Sequence, residues 1–231
     1  MPSEKNKEKI ILDAATALFT TKGFQATRME DVAKQAGISK GLTYFYFKNK
    51  EDLFLALTKR AFDEFKEVFK EVKRIKGKSG LDLICELFVQ VNAFAAKNQV
   101  YYDSIISFMD LMKKYNDPNT REGISPLILE SEHFQKLLTM YHDPAKLGVM
   151  MISQGIKDGS IRAELQPEIT FYTIWSMIIG YEKMRGPISQ DDKDIKINQE
   201  SWEHGYVKLM RDMLKGTVQA SKPITVQGSL F

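Results

Sequence analysis

Residues 40–50 combine aromatic and basic side chains in a pattern that could bind a nucleic-acid duplex. Four aromatic residues occupy positions 44–47, and Lys40, Lys48 and Lys50 flank them. Consecutive residues of a helix point about 100° apart, so four rings in a row cannot all face one core. Lysines neutralise phosphates, tyrosine hydroxyls donate to phosphate oxygens, and apolar ring faces contact thymine methyl groups. The segment therefore predicts an exposed surface with the chemistry of duplex binding.

The charge distribution places the positive charge of the chain near the same segment. The 231 residues carry 33 Lys or Arg and 30 Asp or Glu, a net charge of +3. Residues 1–50 contain nine of the bases and five of the acids, so their net charge is +4 and the remainder carries −1. A small basic region on a nearly neutral body is typical of a polyanion-binding module joined to a second function.

Short helices are predicted to position this surface. Apolar residues recur at helical spacing over residues 11–19 and predict the first helix. Gly23 is expected to end it, with Phe24 folding back on its last turn. We expect Thr27 and Glu30 to form a capping box at the start of the second helix.

The second and third helices are predicted to form a helix-turn-helix. Gly37 should end the second helix and Ser39 should cap the third, which leaves a turn of about three residues between them. A fourth helix is expected to begin after Asn49, whose side chain can cap it.

The remainder of the chain predicts an all-α fold. Clusters of Gly, Pro, Asp and Asn separate the apolar stretches, and no alternation of strand and helix is present. Helical periodicity is expected over residues 81–97, 101–115, 126–141, 144–158, 168–185 and 200–215.

The helix-turn-helix residues resemble a known family. Residues 27–53, TRMEDVAKQAGISKGLTYFYFKNKEDL, are similar to the DNA-binding segment of TetR-family transcriptional regulators. In that family a capped second helix, an Ala-Gly-(Val/Ile)-Ser turn, a Gly-x-x-Tyr-x-(His/Tyr)-Phe recognition helix and a Lys-Glu-x-Leu start of the fourth helix occur together. Thr43 departs from the pattern, because the family usually has a large aliphatic residue there.

The resemblance implies a DNA-binding regulator whose third helix lies in the major groove. It implies that base contacts come from Lys40, Gly41, Leu42 and Phe45. It implies that phosphate contacts come from Thr27, Arg28, Tyr44, Tyr46, Lys48 and Lys50.

The body is expected to bind a small effector, as it does in the family. Residues 81–185 are rich in Met and aromatic side chains, which line adaptable apolar pockets, although most of them would serve as core. No cluster of Arg or Lys interrupts these stripes, so we predict an apolar or amphipathic effector. The predicted pocket comprises Phe65, Phe88, Phe94, Tyr102, Phe108, Met112, Phe134, Met151, Tyr172 and Trp175.

The last two helices are expected to form a homodimer interface. The penultimate helix, residues 168–185, is apolar on more than one face, which a monomer rarely buries for an element near its end. Family members pair these helices into a four-helix bundle, so a C2 dimer is implied. The predicted interface comprises Ile178, Tyr181, Trp202, Tyr206, Leu209 and Met213.

These expectations divide the chain into a helix-turn-helix domain at residues 1–50, an effector-binding and dimerisation domain at 51–216 and a flexible tail at 217–231. The expected partners are double-stranded DNA, a small-molecule effector and a second copy of the chain. The expected function is a repressor that leaves an inverted-repeat operator when its effector binds. The alternative is a DNA-binding architectural or division-control protein of the same fold without an inducer.

Other classes of protein fit the sequence poorly. The apolar runs are shorter than the roughly 18–20 residues that a membrane span needs, and residues 1–9 lack the apolar stretch of a signal peptide. We therefore expect a cytoplasmic protein without membrane contact. Cys85 is the single cysteine, and His133, His142 and His204 lie on separate predicted helices or their ends. No catalytic motif accompanies them, so we expect no enzyme, no metal and no cofactor.

Overall fold

A computed structural model of the chain describes residues 4–185 and 197–215, and the regular elements within these ranges are all helices. The predicted all-α class is confirmed, and the predicted tail at 217–231 lies outside the described residues. The helices are α1 Glu4–Ala26, α2 Met29–Ala36, α3 Lys40–Tyr46, α4 Lys50–Lys73, α5 Gly80–Lys97, α6 Gln99–Asn116, α7 Pro118–Arg121, α8 Pro126–Leu129, α9 Glu132–Met140, α10 Asp143–Lys157, α11 Pro167–Arg185 and α12 Gln199–Lys215.

The described residues fall into two compact units. Unit 1 comprises residues 4–68 and 93–144, and unit 2 comprises residues 69–92, 145–185 and 197–215. Each unit therefore combines segments that are distant in sequence. The predicted domain boundary at residue 50 falls inside unit 1, and it stays a prediction.

In unit 1 the first helices bury the apolar stripe that their spacing predicts. Ile11 of α1 is 0% exposed and Val32 of α2 is 1% exposed. Gly23, with φ 77° and ψ 164°, interrupts the regular helix near the end of α1. Phe24 then folds back, and its ring centroid lies 5.6 Å from that of Phe19. Both expectations for this helix end are confirmed.

The turn between α2 and α3 also follows the prediction. Gly37 caps α2 with φ 65°, a left-handed conformation that glycine adopts without strain. The Ser39 hydroxyl accepts a hydrogen bond from the Leu42 backbone amide at 3.2 Å and so caps α3. At the start of α4 the Asn49 side-chain oxygen accepts from the Asp52 amide at 2.7 Å.

The start of α2 differs from the prediction. The helix begins at Met29, one residue later than expected, and Arg28 is its N-cap. The Arg28 backbone amide donates to the Asp31 carboxylate at 3.3 Å. Thr27 is buried, and its hydroxyl donates to a backbone carbonyl at the end of α1, 2.8 Å away. The Thr27–Glu30 capping box is therefore wrong, because the threonine hydroxyl is already used in the preceding turn.

The single helix predicted over residues 126–141 is also wrong, since two helices, α8 and α9, occupy this range. Ser131 lies between them, and its hydroxyl oxygen accepts a 3.2 Å hydrogen bond from the His133 amide. A serine that caps a new helix offers the backbone an alternative to continuing the previous one. The apolar spacing runs through both helices, so periodicity alone does not reveal this break.

Unit 2 is organised by a close approach of α5 and α10. A Cβ atom on Gly80 would collide with the backbone of Gly155, so position 80 requires a residue without a side chain. Arg211 of α12 pairs with Asp82 of α5 at 2.8 Å. These contacts join α5, α10 and α12 within one unit.

None of the helices in the two described ranges is long and apolar enough to cross a membrane. Within the same ranges, no group of three or more His, Cys, Asp or Glu side chains is placed to hold a metal ion.

Candidate nucleic-acid interface

The aromatic run of α3 divides between the surface and the interior of unit 1. Phe45 is 76% exposed and Tyr44 is 39% exposed, whereas Phe47 is fully buried. Tyr46 is half-buried, and its ring lies edge-on to Phe45 with centroids 5.5 Å apart. The prediction that these rings cannot all face the core is confirmed. The outer face of α3 therefore carries large apolar area that no described residue covers.

The inner face of α3 accommodates the departure from the family pattern. Thr43 is fully buried, and its hydroxyl donates to the Ser39 carbonyl at 3.2 Å. The hydroxyl is thus satisfied within the helix, and its methyl group packs inward. The inner face of α3 therefore stays buried at Thr43, although threonine is smaller than the aliphatic residue usual in the family.

Gly41 leaves the first turn of α3 without a side chain. A Cβ atom built there would meet nothing within 4 Å, and the residue does not have a positive φ. Neither packing nor backbone conformation within the described chain therefore requires glycine. Glycine inside a helix costs about 1 kcal/mol relative to alanine. An external surface that approaches the helix closely would explain this cost.

Lys40 links the two helices of the helix-turn-helix. Its ammonium lies 2.6 Å from the Glu30 carboxylate of α2 and 5.7 Å from the ring centroid of Tyr44. The hydrogen bond that the Lys40 ammonium donates to the Glu30 carboxylate raises the pKa of Lys40 and lowers the pKa of Glu30. Both side chains are about half exposed, so a DNA acceptor can replace Glu30 as the partner of the ammonium.

The residues predicted to contact phosphates differ in their exposure and in whether their polar groups already have partners. Arg28 and Lys48 are exposed at the surface of unit 1. Thr27 is 1% exposed and its hydroxyl is used inside the fold, so it offers no donor to a phosphate. The Lys50 ammonium donates to the Phe24 carbonyl at 2.9 Å and to the Gln25 carbonyl at 3.2 Å. Lys50 therefore joins the start of α4 to the end of α1.

The C-terminal end of α3 is held by a buried carboxylate. Asp52 is 7% exposed, and one of its oxygens accepts a hydrogen bond from the Lys48 amide at 3.2 Å. The other oxygen accepts from the Ser131 hydroxyl at 2.6 Å. The His133 ring stacks on Phe47 with centroids 6.0 Å apart. The first turn of α9 thus fixes the end of the recognition helix.

Sequence reasoning did not identify Asp52, Ser131 and His133 as residues of this site. A local signal exists only for Ser131, since serine before a helical stretch is a common N-cap. Its partner Asp52 lies 79 positions away in the sequence, a separation that no local pattern bridges.

The residues predicted to form an effector pocket in unit 1 are buried and pack on one another. The rings of Phe65 and Phe94 have centroids 5.2 Å apart, and those of Phe108 and Phe134 are 6.1 Å apart. Tyr102 and Met112, the other two members in this unit, are also buried.

The remaining predicted pocket residues lie in unit 2 and differ in exposure. Phe88 and Met151 are fully buried, and Trp175 is half-buried with its ring stacked on Phe171. Tyr172 is 49% exposed, which places it on the outer side of α11 rather than in an enclosed pocket. A pocket formed by the whole predicted set stays a prediction.

Part of the predicted dimer interface lies inside unit 2. Ile178 is 0% exposed and Tyr181 is 3% exposed, so neither side chain is available to a second copy. Trp202 and Tyr206 are half-buried, and their rings pack against Tyr181. The face of α11 that carries Ile178 and Tyr181 therefore belongs to the core of the unit.

The outer faces of α11 and α12 carry the exposed apolar side chains of this region. Leu209 is 69% exposed and Met213 is 36% exposed, as an interface requires. On α11, Ile169, Tyr172 and Met184 are 63%, 49% and 50% exposed. Both helices thus expose apolar side chains, but those of α11 are not the residues predicted for the dimer interface.

Comparison with known proteins agrees with this geometry. Residues 11–57, which cover the helix-turn-helix and the start of α4, match the family model described as bacterial regulatory proteins, tetR family. The HTH-type transcriptional regulator YuxN of Bacillus subtilis is 30% identical over 132 residues, 57% of this chain and 40% of that protein. The chain thus matches less than half of the length of this relative.

One further relative and one solved structure of the same fold extend the similarity over most of the chain. The HTH-type transcriptional repressor KstR2 of Rhodococcus jostii is 25% identical over 175 residues, 74% of this chain and 78% of that protein. The structure of FadR from Bacillus subtilis in complex with stearoyl-CoA has a TM-score of 0.61 at 19% identity, over 87% of this chain and 96% of that one. The match of residues 11–57 to the family model and the all-α fold shared with these regulators support a TetR-family transcriptional regulator.

Proposed function

We propose that the protein is a repressor that binds an inverted-repeat operator and leaves it when a small apolar or amphipathic effector binds. The observation that carries the DNA-binding surface is the 76% exposure of Phe45 on α3, between the exposed lysines Lys40 and Lys48. A phenylalanine exposed to water between two lysines does not stabilise the free protein. A major groove supplies thymine methyl groups for the ring and acceptors for the ammonium groups.

The contacts that we propose follow from the exposure of each side chain. Base edges are contacted by Lys40, Gly41, Leu42 and Phe45, with Gly41 allowing close approach. Phosphates are contacted by Arg28, Tyr44, Tyr46 and Lys48. Thr27 and Lys50 act inside the fold, because their polar groups already bind backbone carbonyls.

The effector is proposed to bind the aromatic and methionine-rich body. Support comes from a relative and from a protein of the same fold, since KstR2 is named a repressor and FadR is described in complex with stearoyl-CoA. A coupling free energy of about 1–3 kcal/mol between effector and DNA changes operator affinity roughly 5- to 150-fold.

The protein is proposed to act as a homodimer through the outer faces of α11 and α12. The exposed apolar side chains on these faces, among them Ile169, Tyr172 and Leu209, would be covered by a second copy. Light scattering should give a dimer mass at micromolar concentration. Leu209→Lys should lower it toward the monomer, whereas Leu127→Lys, at a leucine that is 52% exposed in unit 1, should not.

The DNA-binding proposal is tested by selection of genomic fragments with the purified protein at stated salt, followed by sequencing. We expect one palindromic consensus at few sites, with an affinity that falls steeply as salt rises. Binding at many unrelated sites would instead support the architectural or division-control alternative. A protein that retains no fragment above background overturns the proposal.

A further inference from the structure

A groove of about 510 Å³ lies between α1, α4 and α9 in unit 1. The buried side chains of Leu12 and Ala56 form an apolar part of its wall, and the His133 ring lines it from α9. None of the residues predicted for the effector pocket, all of which the structure describes, lines this groove. Its volume and its partly apolar wall are typical of small-molecule sites. The groove is therefore a candidate ligand site separate from the proposed effector pocket.

The His133 side chain in this wall has a polar atom that the fold does not use. Nδ1 is buried and has no hydrogen-bond partner in the part of the chain that the structure describes. The ring is nevertheless held in place, because it stacks on Phe47 and the backbone amide of His133 donates to the Ser131 hydroxyl. An unused polar atom costs folding free energy. The imidazole thus has hydrogen-bonding capacity to spare in the wall of the groove.

Part of the charge around the groove is already compensated within the fold. Lys59 pairs with Asp63 at 2.7 Å, and both residues line the groove. Arg60, which also lines it, pairs with Asp13 and, at 3.4 Å, with Glu64. These groups leave little free charge for a ligand.

Lys9 and Lys136 carry the positive charge that remains. Lys9 of α1 lines the groove and has no acidic partner within the described ranges. Lys136 of α9 pairs with Glu132 at 3.4 Å, but the Glu132 side chain is 83% exposed, so water screens this pair. Glu8 is the acid of the lining that pairs with no base in the same ranges.

The charge balance of the groove favours a monoanion. Two weakly compensated ammonium groups, of Lys9 and Lys136, stand against the single carboxylate of Glu8, which leaves about one positive charge. A carboxylate ligand matches this excess. A phosphate monoester, with about −1.5 to −2 charges at pH 7, exceeds it.

A DNA duplex fits the groove less well than a small ligand does. In the proposed function the duplex meets α3 and the start of α4. The residues of α4 that line the groove lie between Ala56 and Asp63, about 9–20 Å along the helix from Lys50. A phosphate oxygen also gains nothing from contact with the apolar side chain of Leu12. An apolar body attached to the anion would use this part of the wall.

We propose that the groove binds a small organic monoanion, a carboxylate on a short apolar body. The carboxylate accepts hydrogen bonds from the ammonium groups of Lys9 and Lys136, and the body contacts Leu12 and Ala56. The ligand thereby joins α1 to α9 beside the His133 ring. The inference rests on the proposed function only for its regulatory consequence, which is that the bound anion changes operator affinity.

The charge preference is tested with three probes of equal chain length, namely hexanoate, hexanol and hexylamine. Their binding to the full chain without DNA is measured by calorimetry at pH 7. We expect hexanoate to bind about tenfold or more tighter than hexanol, and hexylamine to bind weakest. Equal affinity for the three probes, or a preference for hexylamine, overturns the proposal.

The site is located with substitutions of opposite expected effect. We expect Lys9→Gln and Lys136→Gln each to lower hexanoate affinity about threefold to tenfold, with hexanol affinity unchanged. Glu8→Gln should raise hexanoate affinity, because it removes a like charge beside the carboxylate. Lys113→Gln, at an exposed lysine of α6 in unit 1, is the control and should change nothing. Hexanoate affinity that is equal in Lys9→Gln and Glu8→Gln contradicts the assignment.

The pH dependence of binding tests whether the anion lies beside His133. Burial lowers the pKa of His133, with Lys136 and Lys59 acting in the same direction and Asp52 and Glu8 opposing it. The other charged groups of the lining are Lys9, Arg60 and Asp63. A bound carboxylate favours the protonated ring, so hexanoate affinity should rise about threefold or more from pH 8 to pH 6. Hexanoate itself stays ionised in this range, and His133→Gln should remove the rise. Wild-type affinity that does not depend on pH overturns the placement beside the ring.

The regulatory consequence is measured last, with a DNA fragment that the protein selects. A ligand that joins α1 to α9 stabilises the contact between His133 and Phe47 at the end of α3, so hexanoate should strengthen binding to this fragment. Hexanoate that binds without strengthening DNA binding confirms the site and overturns its regulatory role. If hexanoate does not bind and Lys9→Gln lowers the salt dependence of DNA binding, this lysine contacts the duplex and the proposal is wrong. A protein that selects no DNA overturns the proposed function, while the calorimetric result for hexanoate stands by itself.

Discussion

The Ser131 hydroxyl donates a 2.6 Å hydrogen bond to the Asp52 carboxylate, across 79 positions of the sequence. The second oxygen of the same carboxylate accepts from the backbone amide of Lys48, directly after the end of α3. One buried group therefore connects α9 to the recognition helix. A carboxyl group in such a place is stable only while its oxygens take part in hydrogen bonds.

Removal of this hydroxyl should destabilise the protein and loosen the recognition helix. We expect Ser131→Ala to lower the free energy of unfolding by about 1–3 kcal/mol, because an oxygen of buried Asp52 loses its partner. Urea denaturation measures this change, and DNA affinity should fall in parallel. Ser153→Ala, at an exposed serine of α10, is the control and should stay close to the wild type. Equal stability of the two variants contradicts the role of Ser131.

The contrast between this contact and the helix caps shows what a sequence can predict. Gly37, Ser39 and Asn49 act on residues within four positions of themselves, so their roles follow from local patterns. Ser131 and Lys50 bind groups that lie far away in the sequence, and their partners depend on how the helices pack. A lysine at the first position of a helix gives the same sequence pattern whether its ammonium binds DNA or a backbone carbonyl.

The same limit explains why two residues predicted for the dimer interface lie in the core. Periodicity predicts that α11 is apolar on several sides, which is correct, but it does not say which side meets the core of the chain itself. Ile178 and Tyr181 face inward, while Ile169 and Met184 face outward. The choice depends on the direction from which α5 and α12 pack, and that information is not local.

Phe45 should contribute to DNA binding and very little to stability. We expect Phe45→Ala to weaken binding to a selected fragment by about 1.5–3 kcal/mol, since a side chain that is 76% exposed in the free protein becomes buried in the groove. The free energy of unfolding should change by no more than about 0.5 kcal/mol. Fluorescence anisotropy and urea denaturation measure the two quantities.

Leu127→Ala is the matched control for Phe45, because Leu127 is also a large exposed apolar residue of unit 1. It should change neither DNA affinity nor stability noticeably. If Phe45→Ala lowers stability while leaving DNA affinity intact, the exposed face of α3 is not the DNA-binding surface.

Gly41→Ala should change stability and DNA binding in opposite directions. The added Cβ atom meets nothing within 4 Å in the protein, and alanine is the better helix former, so we expect unfolding to cost about 0.5–1 kcal/mol more. The same methyl group would stand between α3 and the base edges, so DNA affinity should fall. An alanine variant that is more stable and binds DNA as tightly as the wild type would show that this turn does not approach the duplex.

His133 should make the stability of the protein depend on pH. Burial lowers its pKa below the ordinary value of about 6.5, with Lys136 and Lys59 acting in the same direction and Asp52 and Glu8 opposing it. The unfolded chain then binds a proton more readily than the folded one, so stability rises with pH. The contribution is fully present above about pH 6.5 and is lost as pH falls through the lower folded value.

Urea denaturation between pH 5 and pH 8 checks this dependence. We expect His133→Gln to flatten the fall in stability on the acid side, because the titrating group is gone. His142→Gln, at an exposed histidine, should keep the wild-type profile. A profile that is the same in His133→Gln and in the wild type would assign the acid sensitivity to other groups.

Lys48 and Lys50 should differ in the salt dependence of DNA binding. Each phosphate contact contributes about 0.9 to the slope of log affinity against log salt concentration. Lys48 is exposed, so Lys48→Ala should lower the slope by about this amount and leave stability nearly unchanged. The Lys50 ammonium donates to the carbonyls of Phe24 and Gln25, so Lys50→Ala should lower stability and affinity while the slope stays the same. A loss of slope in Lys50→Ala equal to that in Lys48→Ala would mean that the third N–H of this ammonium reaches a phosphate in the complex.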